Sequence, residues 1–336
     1  MIIDIHGHFT TTPAQVAQFR QQQIERFLLD GVVLEHPPAV TDAEIRAAIE
    51  PHQLARMKER GVDLTLFSPR AVGMDHHQGN EATNVVWARY CNDLVHRVCR
   101  MYPSSFAGVG MLPQAAGVPP RNAVIDEVRR CVDELGFVGV NLNPDPTGGR
   151  WSDPPLWDKD WWYPLYEALV RWNIPAMIHV SGSCNPHFNA VATHYINGDT
   201  TAFVQFLTSD LFKDFPTLKL ILPHGGGAVP YHWGRFRGLA KDMGIPNINE
   251  KLLSDAESLQ EAVDAAKSYI DTIRSSKSLT ESMLLNKKYI NLNSGEVMAI
   301  DESTDKSIEF VKSNDEDKYK TILESKDSFK LFVKEL

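Results

Sequence analysis

No apolar run in the 336 residues approaches the ~18–20 needed to cross a membrane, and no basic segment followed by an apolar stretch opens the chain. Neither a membrane span nor a secretory leader is expected, and the cytoplasm is the expected compartment. Cysteine is scarce: Cys91, Cys99, Cys131 and Cys184 show no CxxC spacing and fit buried thiols in a reducing compartment. Positive charge is in deficit, with a formal net charge of -9, which argues against a general nucleic-acid binder. Any attraction for an anionic ligand must therefore be local. No GxGxxG follows an expected strand, so a dinucleotide-binding sheet is disfavoured.

The last 90 residues lack still more. Residues 247–336 contain no Trp, Pro, His or Cys and a single glycine, Gly295; their basic residues are 12 Lys and 1 Arg. Residues 1–246 hold all 7 Trp, 20 Pro and 12 His, with 16 Arg against 5 Lys. So sharp a break divides the chain into a first segment, 1–246, and a Lys/Ser/Glu-rich tail, 247–336, of unknown origin, either fused or divergent.

Within the first segment short apolar runs alternate with helical patterns. Strands are expected at 1–5, 63–67, 106–112, 137–142, 174–180 and 218–222. Helices are expected at 13–29, 51–60, 81–102, 123–135, 161–172, 202–212 and 230–243, with a capping box at Thr41–Glu44. Strands that alternate with helices imply a parallel α/β sheet. Most strands end in polar chemistry: His6 and His8, Ser68 and Arg70, Asn141 and Asn143, His179, and His224. In a (β/α)8 TIM-type barrel all such ends open on one face, where active sites lie. That barrel is the expected fold, its last strands replaced or missing.

The first strand, expected to be buried, ends in His6-Gly-His8. Residues i and i+2 share a strand face, so both imidazoles project together, and Gly7 lets the backbone approach what they hold. Neutral imidazoles are natural ligands for first-row metals. Alone, such a pair is more often two polar residues at a strand end, and a lone His179 more often a satisfied core histidine.

An HxH on strand one, with His179 and His224 ending strands five and six, resembles the amidohydrolase superfamily of metal-dependent barrels, in its decarboxylase/hydratase branch. The blocks Ile3–His8, Phe67–Arg70, Gly139–Pro146, His179–Pro186 and His224–Gly238 look like those of the 4-oxalomesaconate hydratase family. This resemblance covers about residues 1–245. It implies one Zn2+ per chain on His6, His8 and His179, with a fourth acidic ligand at the end of strand eight. Glu296, after Ser294-Gly295, is a candidate for that ligand, although the family order is Gly-Ser-Glu.

The resemblance also implies Tyr195 as general acid and His224 beside the metal or the substrate. The implied reaction is addition of water to the C=C of a tricarboxylate in protocatechuate or gallate breakdown. Buried carboxylates need cations, and Arg70 and Arg235 are the candidates, with hydrogen bonds from Ser183 and Asn185.

Competing roles stay open: packing for Tyr195, a surface ion pair for Arg70. His76-His77 is expected in a solvated loop, and Gly225–Gly227 in close backbone packing. His187, His194 and His232 receive no role. The tail is expected to be helical and charged, with a hairpin around Asn293–Gly295. Two readings from other classes stand beside the hydratase: a non-oxidative decarboxylase, and an inactive barrel fragment with an appended interaction segment. A small di- or tricarboxylate is the expected partner; whether identical subunits associate is left open.

Overall fold

The computed structural model describes residues 2–70, 73–242, 288–290 and 297–299. The chain divides into two compact units, Met1–Asn249 and Glu250–Leu336. In the first, six strands run in parallel and in sequential order: β1 (Ile3–Phe9), β2 (Leu64–Pro69), β3 (Phe106–Met111), β4 (Gly139–Leu142), β5 (Ala176–Ile178) and β6 (Leu220–Ile221). Helices lie between and after them: α1 (Ala14–Asp30), α2 (Asp42–Ile49), α3 (Ala55–Arg60), α4 (Glu81–Met101), α5 (Asn122–Asp133), α6 (Lys159–Arg171), α7 (Tyr195–Leu207), α8 (Leu211–Asp214) and, following β6, α9 (Val229–Asp242). This is the order of the first six strands of a (β/α)8 barrel. In the second unit β7 (Lys288–Ile290) pairs antiparallel with β8 (Val297–Ala299), the two arms of the expected hairpin.

Local signals set the helix ends. Thr41 and Glu44 form the reciprocal capping box that starts α2, Asn80 caps α4 through the Thr83 N–H, and Asp158 caps α6 through Trp161. Gly31 and Gly61 take the left-handed conformation that closes α1 and α3. The expected helix at 202–212 begins earlier. A π turn at Ala190–His194 runs directly into α7, so Tyr195 opens the helix.

Burial follows position in the sheet. The central β4 is buried at every residue, and Phe67, Val140, Leu142, Ala176 and Ile178 are fully covered beneath the helices. The first strand is not the buried strand the sequence suggests: Ile3 is 46% and Ile5 49% exposed. Apolar composition alone made it look internal, but among the described residues no strand pairs with its outer edge. Gly7 is also required by the sheet itself. A Cβ there would lie 2.1 Å from Thr65 Cγ2, so glycine is what lets β1 close on β2.

A buried polar network ties the strand tops together. His76 Nε2–H donates to the Leu112 carbonyl, so Nδ1 is the acceptor for the Asn143 amide at 2.9 Å. Asn143 also donates to Ser181 Oγ and exchanges hydrogen bonds with Gln114 through its backbone. His76 is only 3% exposed, which corrects its expected place in a solvated loop. Its ring staples the segment after β2 to the ends of β3 and β4. No described helix is long and apolar enough to cross a membrane.

Candidate metal centre and its surroundings

The two histidines of β1 and the one after β5 converge. His6 Nε2 and His8 Nε2 each lie 3.0 Å from His179 Nε2, and all three ligand atoms fall within 4.8 Å of one another. Their protonation follows from the other ring nitrogen. His8 Nδ1 faces the Pro69 carbonyl at 3.0 Å and Ser68 Oγ at 2.7 Å; His179 Nδ1 faces the Val180 carbonyl at 3.1 Å. A carbonyl can only accept, so each Nδ1 carries the proton and each neutral ring presents a bare lone pair at Nε2.

Two lone pairs 3.0 Å apart repel unless a cation lies between them. Protonating a ring is unfavourable here, because desolvation, followed by the neighbouring histidines, drives the pKa of His179 well below the usual imidazole value. Desolvation also lowers His8 to about 4, and His6 moves in the same direction. The donor set therefore fits a divalent first-row metal, for which Zn–N distances of about 2.0–2.1 Å are usual. Glu296, the candidate fourth ligand, lies outside the described residues.

Around this trio stand groups able to move protons. His224 lies 5.0 Å from His6, ring centre to ring centre, and its Nδ1–H donates to Asp199 Oδ2 at 2.7 Å. His224 has a positive φ of 51° and leads into three glycines, Gly225–Gly227, that do as well. The last packs tightly: a Cβ on Gly227 would lie 2.7 Å from Thr200 Oγ1 and 2.9 Å from the Ile196 carbonyl. The turn is thus pressed onto α7, the helix that carries both Tyr195 and Asp199. Tyr195 stacks on His224 at 5.7 Å and meets His179 edge-on at 6.4 Å. Its hydroxyl is buried and has no partner among the described residues, and burial raises its pKa, so the phenol keeps its proton.

The remaining sequence candidates divide. Arg70 is exposed just beyond β2, and its charge acts on both Tyr195 and Asp75. Ser183 and Asn185 are used in local turns: Ser183 Oγ accepts from the Asn185 N–H and Asn185 Oδ1 from the His187 N–H. Arg235 is exposed on α9, and no hydrogen bond or ion pair ties it to the histidines among the described residues. The structure therefore brings together His6, His8, His179, His224 and Tyr195, with Arg70 at the margin.

Two acids escaped the sequence reading. Asp199 is fully buried and lies four residues after Tyr195, a spacing that puts both on one helix face. Asp75 Oδ1 accepts from the Gly182 N–H at 3.0 Å, and burial raises its pKa to about 6. Its signal was its place directly before His76-His77.

Comparison with known proteins gives the family and the fold. A family model described as Amidohydrolase matches residues 3–269. The 2-keto-4-carboxy-3-hexenedioate hydratase of Sphingobium sp. (strain NBRC 103272 / SYK-6) is 51% identical over 255 residues, covering 76% of this chain and 74% of that protein. The crystal structure of 4-oxalomesaconate hydratase from Rhodopseudomonas palustris superimposes with a TM-score of 0.66 at 49% identity, over 76% of this chain and 72% of that one. A 5-carboxyvanillate decarboxylase from Novosphingobium aromaticivorans, solved with bound manganese, shares the fold at a TM-score of 0.52 and 20% identity, over 72% of this chain and 71% of its own.

Proposed function

Since the chain belongs to the amidohydrolase family, we propose that it is a zinc-dependent hydratase that adds water across the C=C of 4-oxalomesaconate in the breakdown of protocatechuate or gallate. The chemistry is assigned to residues 1–246, and none to 247–336. The observation that carries this reading is the 3.0 Å approach of unprotonated His8 and His179 nitrogens beside a buried phenol with no partner among the described residues. The names of the two hydratase relatives supply the substrate.

His6, His8 and His179 would hold the ion. A divalent metal supplies Lewis acidity, which lowers the pKa of water and polarises a carbonyl. With its Nδ1–H on Asp199, His224 in its neutral form has the Nε2 lone pair to take the proton from the attacking water. Asp199 then stabilises the imidazolium. The Tyr195 phenol, kept protonated by burial, delivers a proton to the carbon that gains negative charge. Arg70 is the cation at the rim for a substrate carboxylate, and Ser183, Asn185 and Arg235 would reach substrate only by leaving the places described above.

The shared fold with a manganese-bound decarboxylase supports a second reading, loss of CO2 from an aromatic acid. One experiment separates the readings: zinc content and hydration of 4-oxalomesaconate, measured on wild type and Tyr195→Phe. A hydratase holds zinc in both proteins and loses hydration only in the variant. Zinc below about 0.2 per chain after supplementation would defeat both enzyme readings and leave the inactive-fragment one.

A further inference from the structure

The carboxylate of Asp75 reaches across 107 residues of sequence to the run that carries His179. Its Oδ1 accepts the Gly182 N–H at 3.0 Å, and its Oδ2 accepts from Gln78 Nε2 at 3.2 Å within its own segment. Burial opposes its ionisation, while the Gly182 N–H, then Arg20 and Arg70, favour it. Glycine gives the carboxylate its room. A Cβ on Gly182 would lie 2.2 Å from Asp75 Oδ1, and the three atoms it would meet first all belong to Asp75. The backbone of Gly182 is not left-handed, so its conformation alone would admit alanine.

The peptide held in this way stands next to the histidine centre. Its carbonyl, on Ser181, faces the ring of His194, the residue before Tyr195. The preceding carbonyl, on Val180, takes the His179 Nδ1–H at 3.1 Å, and Ser181 Oγ accepts from the Asn143 amide at 3.0 Å. The strand β5 ends at Ile178. Beyond the His179 N–H, which donates to the Leu142 carbonyl, the run to Gly182 draws its hydrogen bonds from side chains among the described residues. Asp75 and the His179 ring therefore grip the two peptide groups on either side of Ser181.

We propose that Asp75 is a positioning residue of the metal centre: through the Gly182 N–H it fixes the His179–Gly182 run, and with it the Val180 carbonyl that keeps the His179 proton on Nδ1 and its Nε2 lone pair toward His6 and His8. The proposal rests on the reading of the histidine trio as a metal site and on no choice of substrate.

The test is the zinc Kd of the full chain, read by competition with a chelating dye at pH 8, where Asp75 is ionised. Asp75→Ala should raise the Kd about tenfold, the lower end of what losing an outer partner of a metal-bound histidine costs, because Asp75 acts one link further out. Asp75→Asn keeps an Oδ1 acceptor for Gly182, and the exposed Gln78 can turn its amide to accept from the new N–H; its Kd should stay within about threefold of wild type. Gly182→Ala should raise the Kd about tenfold in wild type, where the methyl meets the carboxylate, and change it little in Asp75→Ala, where the methyl has room. If Asp75→Ala does not fold, Gly182→Ala alone and Asp75→Asn decide the matter. A bond that only supported the fold would lower stability in urea and leave the zinc Kd of the folded protein as it was. An unchanged Kd in Asp75→Ala or Gly182→Ala, an Asp75→Asn as weak as Asp75→Ala, or an equal effect of Gly182→Ala in both backgrounds would each overturn the proposal while the metal reading stands. A wild type that binds no zinc would overturn both.

Discussion

His8 and His179 meet nitrogen to nitrogen at 3.0 Å while each turns its other ring nitrogen to a backbone carbonyl. The carbonyls fix the tautomers and so leave the facing nitrogens without a proton. The fold has thus built an electrostatic demand for a cation into the ends of β1 and β5. Metal should therefore stabilise the folded state. At a free concentration 100-fold above Kd the contribution is about 2.7 kcal/mol, or roughly 5–10 °C in Tm for a domain of this size. A chelator should lower Tm by that amount and added zinc should restore it. In His179→Ala the chelator should have no effect; an undiminished shift there would place the metal elsewhere.

In the proposed reaction Tyr195 and Asp199 act from one face of α7, so their variants should differ in kind. Tyr195→Phe removes a hydroxyl that has no partner among the described residues, so stability should be unchanged or slightly improved. Hydration should fall by about 10²–10⁴, the usual range for losing a general acid. Asp199→Asn keeps an acceptor for the His224 Nδ1–H but removes the charge that stabilises the imidazolium. Its kcat should drop while KM stays near the wild-type value. A change confined to KM would show that Asp199 merely shapes the pocket.

His76 should make the metal-free protein sensitive to acid. Burial lowers its folded-state pKa to about 4 from the ordinary 6.5. Between those values the unfolded chain binds more protons, so stability is full above pH 6.5 and is lost as pH falls toward 4. The loss reaches up to about 3 kcal/mol at the lower end. Asp75 works in the opposite sense: its pKa is raised to about 6, so the folded state takes up its proton first and gains as pH falls from 6 to 3.8. Urea titrations of wild type and His76→Gln isolate the first effect. The stability gap between them should narrow from pH 7 to pH 5, and a constant gap would mean that His76 does not titrate in this range.

What the sequence made legible was what repeats. His6, His8 and His179 stand at strand ends in an alternating β/α pattern, and that periodicity puts them on one face before any coordinates are known. Asp75 and Asp199 have no such frame. Asp75 lies in the segment after β2, and Asp199 belongs to a helix whose start was masked by the π turn at Ala190–His194. Reading the helix from Ala202 hid the Tyr195–Asp199 spacing. Ile3 and Ile5 misled for another reason: an apolar strand signals a partner sheet face, and composition does not reveal whether the edge is covered. His76 was mistaken for a solvated residue because its burial depends on Asn143 and Leu112, which lie 67 and 36 residues away.

The scaffold behind the site depends on one carboxylate. Glu127 on α5 is fully buried, and its Oε1 accepts from Asn92 Nδ2 at 2.7 Å and from Arg130 at 2.8 Å. Arg130 Nε reaches Oε2 at 2.9 Å, and Arg89 approaches the same oxygen at 3.5 Å. Asn92 in turn clamps β3 by bonding both the carbonyl and the N–H of Met111. Glu127 therefore joins α5, α4 and β3. Glu127→Ala would leave the Arg130 guanidinium without its buried partner. Breaking such a pair costs about 3–5 kcal/mol, and the lower end applies because Arg130 keeps Asp93 and some solvent. Glu127→Gln retains an acceptor for Asn92 and should lose less. Urea unfolding of the zinc-loaded proteins should rank wild type above Glu127→Gln and that above Glu127→Ala. A loss below about 1 kcal/mol for Glu127→Ala, the scale of an exposed ion pair, would mean that the helices hold β3 without this carboxylate.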